Sequence, residues 1–244
     1  MKIGFIIQSR MSSTRLPNKM AMPFGNEPSL LGHTIERLKN NFEAYTISVA
    51  TSINEKDDEI VEICNDYNIP CIRGSEKDVA SRFLKAAEIL DIDYVVRVCG
   101  DNPFLSIELT KNIIKSYEND QQKKEYYSYY VNNKVGILTD HGFFCEILSI
   151  KSLRREWPLM DHYMKEHVTP IFYTKSNILT SKLLYNNNRL ADVRLTIDTL
   201  EDYNLCREVF EILEEKTYDI NCIIDVLTLS HFKKMNNQSN NNLK

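Results

Sequence analysis

An α/β fold with a mostly parallel central sheet is what this chain predicts, on three observations. Four short apolar runs rich in β-branched residues recur through the first hundred residues. Helical patterns separate them, and no Pro/Gly-rich linker or internal repeat interrupts the alternation. Strand–helix–strand repetition sets consecutive strands in parallel through right-handed crossovers, with helices covering both faces as outer layers.

Each element has its own signal. "KIGFIIQ" (2–8), "TISVAT" (46–51), "PCIRG" (70–74) and "YVVRVCG" (94–100) read as buried strands. Between them, "SLLGHTIERLKN" (29–40), "KDDEIVEICNDYN" (56–68) and "EKDVASRFLKAAEIL" (76–90) carry apolar residues at helical spacing behind a capping residue. In the third, Ala80, Phe83, Leu84, Ala87 and Leu90 form one stripe. The second half is more mixed. Strands are predicted at 125–131, 181–185 and 192–198, and helices at 149–156, 161–172, 200–216 and 220–228. One domain over 1–232 is expected, followed by a polar, Asn-rich, disordered tail at 233–244.

Composition narrows the function classes. The chain has 244 residues and a formal net charge of -4, which argues against a nucleic-acid binder and makes any anion site local. Its six cysteines are scattered through apolar stretches with no C-x-x-C pair, the usage of small buried hydrophobes in a reducing compartment. With neither a leader pattern nor a run of about 18 apolar residues, no membrane association is expected and the location is read as cytoplasmic.

Ligands of open parallel sheets bind beyond the carboxyl ends of the strands, which sorts the motifs. The first strand runs into "SRMSSTRLPNK" (9–19), where Arg10, Ser12, Ser13, Thr14, Arg15 and Lys19 gather guanidinium, hydroxyl and amine donors suited to a polyphosphate. The loop matches neither a Walker A nor a dinucleotide fingerprint, and a solvated charged turn is the plain alternative. Asp101, in "VCGDNPF", and Asp198, in "LTIDTLED", both sit at predicted strand ends. Two carboxylates there, beside a phosphate loop, are what Mg²⁺ needs; helix capping is the alternative use of each. His141 and His167 are candidates to contact substrate, against the commoner structural role. Met11, Met20 and Met22 are assigned no chemistry, and the "DID" at 91–93 precedes its strand and so lies at the wrong end of the sheet.

Taken together, "FIIQSRMSSTRLPNKM", "IRGSEKDVASRF", "RVCGDNPF", "KEHVTP" and "VRLTIDTLEDYNL" resemble the spore-coat polysaccharide cytidylyltransferase family, which is similar to the CMP-Kdo and CMP-sialate synthetases. The resemblance runs from residue 3 to about 215. It implies a Rossmann-like nucleotidyltransferase fold of the glycosyltransferase-A type, and Mg²⁺-dependent transfer of CMP from CTP to a sugar-like acceptor with release of pyrophosphate. It further implies that Arg10, Ser12, Thr14, Arg15 and Lys19 hold CTP, with Arg10, Arg15, Lys19 and Asp101 as the catalytic set. Arg73, Ser75, Asp78 and Arg82 match a second nucleotide-side motif, Asp101 and Asp198 fall on the metal ligands, and Gly142, with His141 beside it, falls at the acceptor pocket. Relatives are commonly dimers, and the aromatic "EYYSYYV" could supply a self-complementary patch.

The chain departs from the family pattern at Asn18, where glycine is usual; asparagine tolerates a positive φ. Phe144 stands where an aspartate is typical, which points to a different or less polar acceptor contact. Two other readings compete: a glycosyltransferase of the same fold using a nucleotide-sugar donor, and a nucleotide-binding regulator without turnover.

Overall fold

The computed structural model describes residues 1–213, 218–229 and 232. The predicted tail at 233–244 lies outside them, as do residues 214–216 of the predicted helix 200–216.

Among the described residues, eight strands form one sheet: β1 (Ile3–Gln8), β2 (Thr46–Ser52), β3 (Cys71–Gly74), β4 (Tyr94–Cys99), β5 (Tyr126–Val131), β6 (Lys134–Val135), β7 (Glu146–Ser149) and β8 (Thr180–Leu184). Their order is β3-β2-β1-β4-β7-β5-β6, with β8 pairing β5. The first four are mutually parallel, β7 runs antiparallel between β4 and β5, and β8 lies parallel to β5. Because the chain leaves β1 first toward β2 and later returns to its other side as β4, the sheet reverses its winding between β1 and β4. A crevice opens at the carboxyl ends of strands at such a reversal.

Among the described residues, nine α-helices accompany the sheet: α1 (Leu30–Asn41), α2 (Asp58–Asp66), α3 (Val79–Ile89), α4 (Ile107–Asn119), α5 (Ile150–Glu156), α6 (His162–His167), α7 (Pro170–Thr174), α8 (Leu200–Leu213) and α9 (Ile220–Leu227). Strand alternation feeds two cores. Phe5 and Ile7 join one with α1, α2, α4, α8 and α9, whereas Ile6 joins the other with α3, α5 and α7. This is the three-layer arrangement expected. Among the described residues, no helix is long and apolar enough to cross a membrane.

Two predicted elements differ. The span 161–172 breaks into α6 and α7, because Val168 takes φ 66° and Pro170 cannot continue the preceding helix. The stretch 192–198 is not a strand. Its N–H groups turn to loop carbonyls instead, Leu195 donating to Asp140 O at 3.1 Å and Ile197 to Asp101 O at 2.9 Å. That lays the segment across the crevice.

Candidate active site

The first loop is built around Met11. Its side chain is buried, its carbonyl accepts from the N–H of Ser13 at 2.8 Å and of Asn18 at 3.1 Å, and its own N–H donates to Asp57 Oδ1 at 2.8 Å. Asn18 adopts φ 60°, the left-handed turn expected of it. Asp57 is fully buried; its other oxygen accepts from Thr51 Oγ1 at 2.9 Å, from Ser52 N–H at 3.0 Å and from Ser52 Oγ at 2.5 Å. One carboxylate thus fastens the loop after β1 to the end of β2. Nothing in the sequence singled it out, since it reads as one of two acids opening α2.

From that anchor the loop reaches the second half of the chain. Lys19 Nζ donates to Asp101 Oδ2 at 2.8 Å and to Ile197 O at 2.6 Å, and lies 3.4 Å from Asp198 Oδ1. Burial alone would lower the pKa of this ammonium, but the charges of Asp101 and Asp198 outweigh it and hold the pKa above its ordinary value. Arg15 pairs with Asp198 Oδ2 at 3.1 Å. Behind Asp198 stands the buried Arg194, 2.8 Å from its Oδ2 and paired with Asp140 and Asp202 as well.

Neither aspartate spends its side chain on a helix cap. Ser106 caps α4 by accepting from Leu109 N–H, and Thr199 Oγ1 accepts from Asp202 N–H at the start of α8. Asp202 completes that box by accepting from the N–H groups of Asp198 and Thr199.

A cavity of about 320 Å³ opens where these groups meet, and Arg10, Ser13, Thr14, Arg15, Lys19, Asp101 and Asp198 all line it. Arg97, Cys99, Tyr163, His167, Thr169 and Tyr173 line it as well. Of these, His167 is the residue the sequence offered as a candidate to contact substrate. Arg97 is buried against Glu146 at 2.6 Å, and Glu146 also accepts from the hydroxyls of Tyr126 and Thr169. Burial pushes the Cys99 thiol up to about 11, so it stays protonated and is no nucleophile.

The remaining expected residues lie off this cavity wall. Ser12 Oγ donates to Glu76 at 3.0 Å. Arg73 ties β3 to the end of β2 through Ser52 O, Asn54 O and Asp58. Ser75 Oγ accepts from Asp78 N–H, and Asp78 caps α3 while accepting from the Trp157 indole at 2.9 Å. Arg82 is 1% exposed and its three guanidinium nitrogens have no hydrogen-bond partner among the described residues, a state shared by the buried Ser9 Oγ. Gly74 makes room for its stem, since a Cβ there would meet Arg82 Cγ at 2.8 Å. His141 and Gly142 sit behind the wall rather than on it. The His141 ring is 2.8 Å from Val193 O, and Gly142, at φ 76°, lets the chain pass so close to Leu195 that a Cβ would lie 2.9 Å from its carbonyl oxygen. Both support the 193–198 segment that carries Asp198.

A cationic loop, two carboxylates on one ammonium and a parallel-sheet switch point suit phosphate chemistry. A family model described as cytidylyltransferase matches residues 4–241. The chain belongs to the cytidylyltransferase family. This cytidylyltransferase is 37% identical to an uncharacterised protein of Methanocaldococcus jannaschii over 93% of this chain and 90% of that one. It is 32% identical to the spore coat polysaccharide biosynthesis protein SpsF of Bacillus subtilis, over 88% of each. A solved cytidylyltransferase from Leptospira borgpetersenii serovar Hardjo-bovis superposes with TM-score 0.79 at 30% identity, covering 93% of this chain and 94% of that one. The architecture is the Rossmann-like nucleotidyltransferase fold, and the protein is a nucleotidyltransferase.

Proposed function

We propose that this cytidylyltransferase transfers CMP from CTP to a sugar, sugar acid or related acceptor, with Mg²⁺ and with release of pyrophosphate. The observation that carries the reading is the convergence of Lys19 and Arg15 on Asp101 and Asp198 at one cavity. The naming of the Bacillus subtilis relative for polysaccharide biosynthesis supports a sugar-like acceptor.

The two aspartates fit a divalent cation. They offer hard oxygen ligands already drawn to within reach of one positive charge, and nucleotide phosphates can complete an octahedron. Asp101 and Asp198 would hold Mg²⁺, which when bound polarises the α-phosphate and steadies the departing pyrophosphate. The protein's own part is placement and charge. Arg10, Arg15 and Lys19 face the triphosphate and offset the charge that grows on the leaving group, while the Ser13 and Thr14 hydroxyls supply further donors. Asp57 keeps the loop that carries them in position.

Arg82 supports selection of the base. A buried guanidinium with open donors suits the O2 and N3 acceptors of cytosine, whereas uracil presents a donor at N3. Glu76, which accepts from Ser12 and Asn54, lies close enough to Arg82 to raise its pKa and could accept from the cytosine amine.

A pyrophosphate-release screen tests the reading, crossing CTP, UTP, ATP and GTP with sugars, sugar phosphates and 2-keto sugar acids. Release from CTP with at least one acceptor is expected. Release from none, or equal release from UTP, would overturn the transfer or the base assignment respectively.

A further inference from the structure

At the end of α6 the backbone takes a rare turn. Val168 has φ 66° and ψ -54°, and the Thr169 N–H donates back across it to His167 O at 2.8 Å. This is a γ-turn of the left-handed kind, strained for any L-residue and more so for a β-branched one. Such strain persists where the surroundings over-determine it, and it clusters at functional sites. Here Val168 is fully buried, and the residues on either side of it, His167 and Thr169, both line the cavity.

The surroundings fix the direction of the His167 ring. Tyr163, one turn earlier on α6, places its ring 4.4 Å away. Glu166, next in sequence, pairs with Arg10 of the first loop at 3.0 Å, clasping the end of α6 to the phosphate side. Thr169 Oγ1 donates to Glu146 Oε2 at 3.2 Å, which roots the turn in the sheet. Neither ring nitrogen of His167 has a hydrogen-bond partner among the described residues, so the imidazole faces the cavity uncommitted.

Its charge state follows from what faces it. Partial burial, together with Arg97 from β4 and Arg10 from the first loop, pushes the pKa of the half-exposed His167 below its ordinary value, and Glu166 on its own helix offsets only part of this. The imidazole is therefore neutral near pH 7. The other lining groups are less suited to accept a proton. Asp101, Asp140 and Asp198 are each paired with a cation, the arginines and Lys19 are protonated, and the Cys99 thiol is held protonated.

We propose that His167 is the general base of the transfer, taking the proton of the acceptor hydroxyl as its oxygen attacks the α-phosphorus of CTP. The inference rests on the cytidylyl-transfer reading above. In the step the acceptor oxygen forms a bond to the α-phosphorus and the bond from α-phosphorus to the bridging oxygen of the β-phosphate breaks. Pyrophosphate leaves with that electron pair, and the hydroxyl proton ends on an imidazole nitrogen, from which water removes it. The acceptor accordingly enters beside Tyr163, His167 and Tyr173, all of which line the cavity.

The test uses the full-length protein with Mg²⁺, CTP and the acceptor from the screened sugars, sugar phosphates and 2-keto sugar acids that gives pyrophosphate release. In the wild type kcat/KM falls on the acid side with an apparent pKa below about 6.5, and ring-proton NMR finds His167 titrating there, its signal assigned by its absence from His167→Gln. His167→Gln lowers kcat by at least ~100-fold with KM for CTP unchanged, the acid limb disappears, and added imidazole restores part of the rate to His167→Ala. Three results would overturn the proposal. They are a His167→Gln enzyme of wild-type rate, one slowed but keeping the acid limb, or a His167 that titrates above 6.5. A wild type that releases pyrophosphate from CTP with no acceptor would instead overturn the transfer reading, and this step with it.

Discussion

Lys19 and Asp101, 82 residues apart in sequence, are joined by a 2.8 Å bond from Nζ to Oδ2, with Lys19 only 8% exposed. The same ammonium is 3.4 Å from Asp198, so it neutralises two carboxylates that would otherwise repel. On the proposed function, a cation so placed would compete with a divalent ion for the pair until a triphosphate drew it away. In Lys19→Met, Mn²⁺ binding measured without nucleotide is therefore expected to tighten by at least ~10-fold, or about 1.4 kcal/mol, while CTP binding weakens. Unchanged Mn²⁺ affinity in calorimetry or electron paramagnetic resonance would show that Lys19 does not occupy that role.

The carboxylates themselves are tested next. Asp101→Asn and Asp198→Asn keep shape but lose charge, and each is expected to lower pyrophosphate release by at least ~100-fold, about 2.7 kcal/mol of transition-state stabilisation. Asp198→Asn also weakens the hold on Arg15 and Arg194, so its KM for CTP should rise as well. Wild-type release from either variant would remove that residue from the metal role.

How far the sequence was legible depends on what each segment packs against. Strands β1, β2 and β4 read plainly because both faces are largely buried, which makes them near-continuous apolar runs. Strand β7 did not, because its first residue is Glu146, a surface residue by type that is buried here only through Arg97, Tyr126 and Thr169. The stretch 192–198 misled in the other direction. Val193, Leu195 and Ile197 alternate as in a strand, yet they bury against loops and α8, so the period was right and the partner wrong. In the site, the loop after β1 and the two aspartates were visible because chemistry at a strand end is informative on its own. Asp57 and Arg97 were not, because their importance lies in partners 46 and 49 residues away that only folding supplies.

Asp57 offers the sharpest structural test. Asp57→Ala leaves the N–H groups of Met11 and Ser52 and two hydroxyls without their shared acceptor in a buried position. A loss of about 3 kcal/mol is expected, or about 6–12 °C in Tm for a chain of this size. KM for CTP should rise with it, because the loop after β1, which the proposed function sets on the triphosphate, loses its tether. A melting temperature within about 2 °C of wild type would contradict this account.

Arg82 should show stability and function pulling apart. Its buried guanidinium has no hydrogen-bond partner among the described residues, and burial pushes its pKa down to about 10. Arg82→Met keeps a long stem beside Gly74 and removes the stranded charge, so the nucleotide-free protein should gain at least ~1 kcal/mol in thermal or urea unfolding. The same variant should lose its preference for CTP over UTP in pyrophosphate release. A variant that is less stable yet equally selective would mean that Arg82 serves packing rather than the base.

Acid sensitivity should trace in part to His33, far from the chemistry. The ring is 4% exposed on α1, lies 3.1 Å from Pro103 O and packs against Phe24 and Phe210. Burial, with Arg37 nearby, lowers its pKa to about 4, against about 6.5 in the unfolded chain. The unfolded state therefore takes up a proton first as pH falls. Stability that is fully present above pH 6.5 is lost progressively toward pH 4, by about 3 kcal/mol in all. His33→Gln keeps a donor to Pro103 O but cannot titrate. Urea midpoints at pH 7, 6 and 5 should fall less steeply in the variant than in the wild type, and parallel curves would assign the acid sensitivity elsewhere.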